Sequence, residues 1–295
     1  MNYYKEIKDQ LVNNEIYKKI KDYSKNRSDL DIYYNVGRLL AEAGKHYGEG
    51  IIKKYSEKLK KDVGKKYSVT NLKYMRQFYY FRKSHSVSDL LTWTHYRQLF
   101  CITDSNEVNY YIDLSIRNNL SVRQLRERIR NKEYQRLDET AKKKLVNNKD
   151  INIEDNIKNP ILIKSKELKG YITENLLHKL ILENVESFMN ELGGFYSFVG
   201  SEYKIKIGNT YNYIDLLLFN IKYNCYVVVE LKVTELKKEH LGQIDLYMNY
   251  IDKNIKDITH NKTIGIIIVK EKNKFVIRYC SNKNIFSTEY KLINI

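Results

Sequence analysis

Between Tyr213 and Lys232 the chain reads YIDLLLFNIKYNCYVVVELK, two apolar runs rich in Ile, Val, Leu and Tyr joined by a polar turn around Asn220–Asn224. Runs of this length and composition, bounded by turn residues, predict adjacent strands of a buried sheet. Each run nevertheless carries groups that a core strand excludes. Asp215 interrupts the first, and Glu230 and Lys232 end the second. A buried carboxylate or ammonium is costly unless it is paired or binds a metal. Glu230 and Lys232 are two apart, so in a strand they leave the same face, and Asp215 on the neighbouring strand adds a second carboxylate at the sheet edge. Two such oxygen donors suit Mg²⁺ or Mn²⁺. The lysine can orient or deprotonate a water, or neutralise charge on a phosphorane-like transition state. The alternative for this trio is a structural ion-pair cluster.

Charge is unevenly spread. Of the net +16 carried by the 295 residues, 1–150 contribute +13 and 151–295 only +3. The length allows one large domain or two medium ones. The asymmetry predicts a basic part that meets a polyanion, nucleic acid above all, followed by a domain with a different task. A solvated lysine surface that reflects only biased base composition is the competing explanation. Cys101, Cys225 and Cys280 form no CxxC pair, so free thiols in a reducing cytoplasm are expected. The opening residues carry no signal-peptide pattern, and the longest apolar runs, such as Ile264–Val269, are far too short to span a bilayer. The expectation is a soluble cytoplasmic protein without a membrane partner.

Residues 1–132 read as almost wholly helical. Ile51, Ile52, Tyr55 and Leu59 mark one helix; Ser68 or Thr70 caps the next, which holds Leu72, Met75 and Phe78. The pair resembles a helix-turn-helix whose second member presents Lys73, Arg76 and Gln77 to phosphates or base edges. Trp93 with His95 reads as a packed core corner. Ser121 caps SVRQLRERIR, where Arg123, Arg126 and Arg130 form a basic stripe and Leu125 and Ile129 face inward; the stripe is either a DNA-contacting edge or a solvated face. Residues 133–165 are polar with few apolar anchors, the expected linker, with Pro160 close to its end. From 166 to 295 the pattern reads α, β, β, β, α, β, β: a helix from Thr173 to Gly193–Gly194, strands around 195–232, a helix over 236–252, an apolar strand 263–269 and an alternating strand 274–280. Neither His178 nor His240 is expected to serve as a general base, since nothing nearby in sequence orients it.

That order, with Asp215 followed by Glu230-Leu231-Lys232, resembles the PD-(D/E)XK nuclease core. FVGSEYKIKIG, YIDLLLFN, CYVVVELK and LGQIDLYMNYID are similar to the C-terminal domain of YhcG-type nucleases, and SVTNLKYMRQFYYF, LLTWTHYRQL and SVRQLRERI to their N-terminal helical domain. The resemblance implies an α + α/β chain: an all-helical, helix-turn-helix-like DNA-binding domain, then a restriction-endonuclease-like αβββαβ core with a mixed central sheet. It implies a metal-dependent endonuclease acting on duplex or branched DNA, in mobile-DNA defence or DNA processing, with a homo-oligomer, a dimer, to cut both strands. By the same resemblance Asp215 and Glu230 hold Mg²⁺ or Mn²⁺ with the Leu231 carbonyl as a third ligand, Lys232 assists the attacking water, and Gln243 with Tyr247 forms the QxxxY element that supports the site. An additional acid from the first core helix is Glu183, with Glu186 as its rival. The superfamily's proline-aspartate dipeptide is absent, as Ile214 precedes Asp215. A DNA-binding accessory protein with a vestigial site, or an RNase, are the alternatives.

Overall fold

Side-chain caps set where several helices of the first half begin. Ser68 Oγ accepts from Asn71 N–H, and Ser121 Oγ accepts from Gln124 N–H while the Gln124 side chain reaches back to Ser121 N–H, the reciprocal pairing that satisfies donors a helix start leaves open. The computed structural model describes residues 3–19, 25–85, 87–166 and 172–294, and the chain divides into two units, Met1–Tyr134 and Gln135–Ile295.

The first unit holds α1 (Tyr3–Lys19), α2 (Lys25–Tyr47), α3 (Ile51–Asp62), α4 (Val69–Ser84), α5 (Trp93–Leu99), α6 (Ser105–Arg117) and α7 (Val122–Arg130). The α3–α4 pair is one part of a bundle rather than a free-standing helix-turn-helix, because α4 packs chiefly on α2. Gly37 permits that approach: a Cβ there would lie 2.0 Å from the Met75 carbonyl oxygen. Trp93 packs between Tyr33 and Phe78 with ring centroids 4.8 and 5.3 Å away, and buried His95 is held by Thr92 and by the Leu120 carbonyl, as a core corner requires. Near the end of the unit Arg128 bonds buried Glu133, which also accepts from Tyr110 OH.

The second unit contains α8 (Glu139–Val146), α9 (Ile153–Asn156), β1 (Ile161–Ser165), α10 (Glu174–Glu183), α11 (Val185–Glu191), β2 (Tyr196–Ile207), β3 (Thr210–Asn220), β4 (Cys225–Glu235), α12 (Lys238–Asn254), β5 (Ile264–Glu271), α13 (Lys274–Arg278) and β6 (Ile285–Asn294). The sheet order is β1-β6-β5-β4-β3-β2. β1–β6, β6–β5 and β5–β4 are parallel, and β4–β3 and β3–β2 antiparallel, so the sheet is mixed. Leu177, Ile181 and Phe188 of the α10–α11 layer pack on Leu216, Val227, Val229 and Leu231. Ile244, Met248 and Ile251 of α12 cover Leu217, Val228 and Ile267 on the other face. Each such side chain fully buried contributes about 1.5–3 kcal/mol.

Three expectations change. The stretch 133–165, expected as a linker, carries α8, α9 and β1. Arg136 makes a two-pronged pair with Glu191 and donates to the Pro160 carbonyl, and Glu191 also accepts from Leu162 N–H. Charged residues there are paired inside the fold, which is why the stretch reads as polar. Residues 167–171, at the expected start of the second domain, lie outside the described residues. The alternating segment 274–280 is helical over α13: Asn273 Oδ1 accepts from Phe275 and Val276 N–H, and Val276, Ile277 and Cys280 meet the core at helical spacing. The final strand is β6. The expected helix from Thr173 breaks at Asn184 into α10 and α11.

Candidate active site

β3 and β4 are neighbours in the middle of the sheet, not at its edge. Their paired register runs from Asn220↔Cys225 to Leu216↔Val229 and stops there. One step further, Asp215 would face Glu230. Instead β3 continues beside β2 alone and β4 beside β5 alone, and the two strands part like a fork. The backbone N–H of Leu231, which no longer has a ladder carbonyl, donates to Asp215 Oδ2 at 2.7 Å. A side chain has replaced a sheet bond, and that fixes the Asp215 carboxylate beside the β4 backbone.

Glu230 lies in the crotch of the fork, 1% exposed. Lys232 Nζ donates to its Oε2 at 3.4 Å and sits 3.7 Å from Glu174 Oε2, while Glu230 Oε1 is buried without a hydrogen-bond partner. Burial first, then the charge of Asp215, push the Glu230 carboxyl up to about 8, against the pull of Lys232. Burial also raises Asp215 above the usual carboxylate range, opposed by the Leu231 N–H, Lys232 and His178. For Lys232, burial works to lower the ammonium, but Glu230, Asp215 and Glu174 together carry it above the ordinary lysine value.

Two flanking helices bring their N-terminal ends to this point. On α10, Thr173 Oγ1 accepts from Leu176 N–H, Glu174 reaches Lys232, and His178 Nε2 lies 3.1 Å from the Asp215 carbonyl oxygen. On α12, Lys237 N–H donates to His240 Nδ1 at 3.2 Å. Burial lowers the His240 pKa, and the nearby Lys232 and Lys237 charges lower it further. Both histidines are therefore oriented, contrary to expectation. Further along α12, half-buried Gln243 donates to Tyr247 OH at 3.1 Å, and Tyr247 is buried in the core under β4.

The donor set fits a hard divalent cation. Two carboxylates and the Leu231 backbone converge, and one buried carboxylate oxygen lacks any partner. Among the described residues no group of three or more His, Cys, Asp or Glu is placed to hold a metal. A cation here would complete its shell with backbone oxygen, water and substrate oxygens, the habit of Mg²⁺.

Residues 154–294 match the family model described as the YhcG PDDEXK nuclease domain, and residues 10–136 that of the DUF1016 N-terminal domain. The chain carries a PDDEXK nuclease domain behind a DUF1016 domain. A relative described as "Putative nuclease YhcG", from Escherichia coli (strain K12), is 24% identical over 308 residues, covering 88% of this chain and 82% of that protein. Among solved structures, the crystal structure of a repair endonuclease from Pyrococcus abyssi has 15% identity and a TM-score of 0.29 over 43% of this chain and 50% of its own. The EndoMS-dsDNA2 complex has 17% identity and a TM-score of 0.30 over 44% of this chain and 49% of its own.

Within the PDDEXK domain, Glu174 of the first core helix reaches Lys232 at the fork, and Glu174, Glu183 and Glu186 are all exposed. Glu183 stands nine positions after Glu174. In a helix that is about 13.5 Å along the axis and half a turn around it. In the DUF1016 domain, Arg76 is tied to Glu49 at 2.7 Å and Gln77 donates to the Phe100 carbonyl at 2.9 Å, while Lys73 is exposed. Arg123, Arg126 and Arg130 all reach the surface, with Arg126 bonded to Gln98. Among the described residues no helix is long and apolar enough to cross a membrane.

Proposed function

We propose that the chain is a Mg²⁺- or Mn²⁺-dependent DNA endonuclease that hydrolyses phosphodiester bonds at the β3–β4 fork. The observation that carries this reading is the bare, buried oxygen of Glu230 beside a second carboxylate and an ammonium. A cluster built only to stabilise the fold would not leave that oxygen unpaired, since an unsatisfied buried polar group costs about 1–3 kcal/mol, more when charged. Asp215, Glu230 and the Leu231 carbonyl are the groups to hold the cation. When bound, the metal lowers the pKa of a coordinated water and draws charge from the phosphoryl oxygens.

The chain's own groups supply the rest. Lys232, kept protonated by its acidic neighbours, donates hydrogen bonds to a phosphoryl oxygen or to the attacking water and does not remove a proton. Asp215, clamped by the Leu231 N–H, cannot swing away from the fork. Gln243 and Tyr247 support the wall that α12 builds beside β4. The exposed arginines of α7 and Lys73 hold duplex or branched DNA, and a cytoplasmic homodimer would present two sites to the two strands.

The test is digestion of supercoiled DNA, junction DNA and labelled RNA by the purified chain in Mg²⁺, Mn²⁺ or EDTA. Cleavage of DNA that EDTA abolishes, and that Asp215→Asn or Lys232→Ala reduces by at least about 100-fold, is the expected result. Glu174→Gln should lower activity about 10- to 100-fold, whereas Glu183→Gln should leave it unchanged. DNA binding without cleavage in either metal would make the chain an accessory binding protein; cleavage of RNA alone would make it an RNase.

A further inference from the structure

The β2–β3 hairpin turns at Gly208–Asn209 and runs straight into the fork. Its inner face is apolar, with Ile205 and Ile214 fully buried against the α12 layer. Its outer face is neither buried nor merely polar. Tyr211 and Tyr213 are 53% and 52% exposed and stand directly opposite Lys206 and Lys204, both exposed. Lys204 Nζ lies 3.8 Å from the Tyr211 ring centroid, and Lys206 Nζ 5.9 Å. Two solvent-facing rings, one of them with two lysines beside it, are costly decoration for a sheet with nothing to bind, because the rings leave apolar area in water.

We propose that this face is a track for a single-stranded DNA segment beside the bond to be cut. Along β3, Tyr213 lies about 7 Å and Tyr211 about 14 Å from Asp215, the reach of nucleotides flanking a phosphate held at the fork. Bases stack on the two tyrosines, and Lys204 and Lys206 move from the Tyr211 ring to the backbone phosphates. An aromatic platform interleaved with cations is the combination that holds unpaired strands with little regard to sequence. A duplex keeps its bases stacked inside and cannot offer their faces to these rings, so the track favours flaps, junctions and locally opened DNA over continuous duplex. The negative charge of Glu202, exposed on the same hairpin, marks the limit of the phosphate path. The choice of DNA as occupant rests on the nuclease reading; the platform itself does not.

Two measurements separate the proposal from that reading. In the first, full-length chain with Lys232→Ala is photocrosslinked to 5-bromodeoxyuridine-substituted single-stranded DNA, and the adducts are mapped by mass spectrometry. Adducts on Tyr211 or Tyr213 are expected. In the second, affinity for a flapped oligonucleotide is measured by fluorescence anisotropy. Tyr211→Ala should weaken it about 5-fold or more, with Tyr211→Trp restoring it; Lys204→Ala with Lys206→Ala should shrink the salt slope by about 1.4. Tyr279→Ala, an exposed ring on another segment, should change neither. Adducts confined elsewhere, or unchanged affinity in the tyrosine variants, would overturn the track even if the wild type cuts DNA. Adducts on the hairpin, together with a wild-type chain that cuts no DNA in either metal, would sustain the track and remove the nuclease reading. A hairpin that pairs instead with a peptide strand would give protein dimers and no DNA adducts, which also overturns it.

Discussion

Asp215 has a task in the fold beside the role proposed for it: its carboxylate completes a backbone bond that the parting strands leave open. Glu230 does the reverse. Its carboxyl is pushed from 4.5 up to about 8 by burial and by Asp215, so around neutral pH the folded metal-free chain holds a proton that the unfolded chain releases. The stability this group contributes is whole below about 4.5 and is lost as pH rises toward 8. In EDTA the melting temperature should therefore fall across that window. Mg²⁺ should restore more of it at pH 8 than at pH 5.5, and Glu230→Gln should flatten the metal-free profile. A Gln variant with a slope as steep as the wild type's would contradict this. Asp215, Glu230 and Lys232 were legible in the sequence because charges inside apolar runs need a reason. Glu174 and His178 were not, because a helix of mixed polarity does not say which of its turns abuts the end of a sheet.

At the level of elements, apolar periodicity located β2 to β5 and α12. It failed where a polar stretch is folded by specific pairing. Arg136 and Glu191 are nearly buried, at 9% and 12% side-chain exposure, and join the start of the second unit to α11 and β1. Arg136→Ala should destabilise that unit by about 3–5 kcal/mol, because Glu191 would be left as an uncompensated buried charge; the urea midpoint measures it. Arg136→Ala with Glu191→Gln should recover part of the loss. Alternation over 274–280 misled for a related reason: seven residues are too few for period two to be told from period 3.6, and the Asn273 cap decided the outcome. The α2–α4 crossing depends on a single missing methyl. Gly37→Ala would force a Cβ to 2.0 Å from the Met75 carbonyl oxygen, and should lower the denaturation midpoint of the first unit by the equivalent of about 1–3 kcal/mol or more.

For the whole molecule, the proposed DNA binding can be assigned to particular cations. Of the six DNA contacts expected from the sequence, Arg76, Gln77 and Arg126 already bond to protein groups, so on that proposal the salt dependence rests on Lys73, Arg123 and Arg130. Replacing Arg123 and Arg130 together by Ala in the full chain should reduce the salt slope of duplex binding by about 1.8, whereas Gln77→Ala should leave it alone. Equal slopes in all variants would show that the net +16 is solvated surface.

The unpartnered oxygen at the centre of the sheet has one more consequence. On the function proposed for the fork, a group that the fold would rather do without persists only while cleavage is selected for. Descendants freed from the need to cut should shed Glu230 first, and the first silent lineages should outlast their working ancestor in heat.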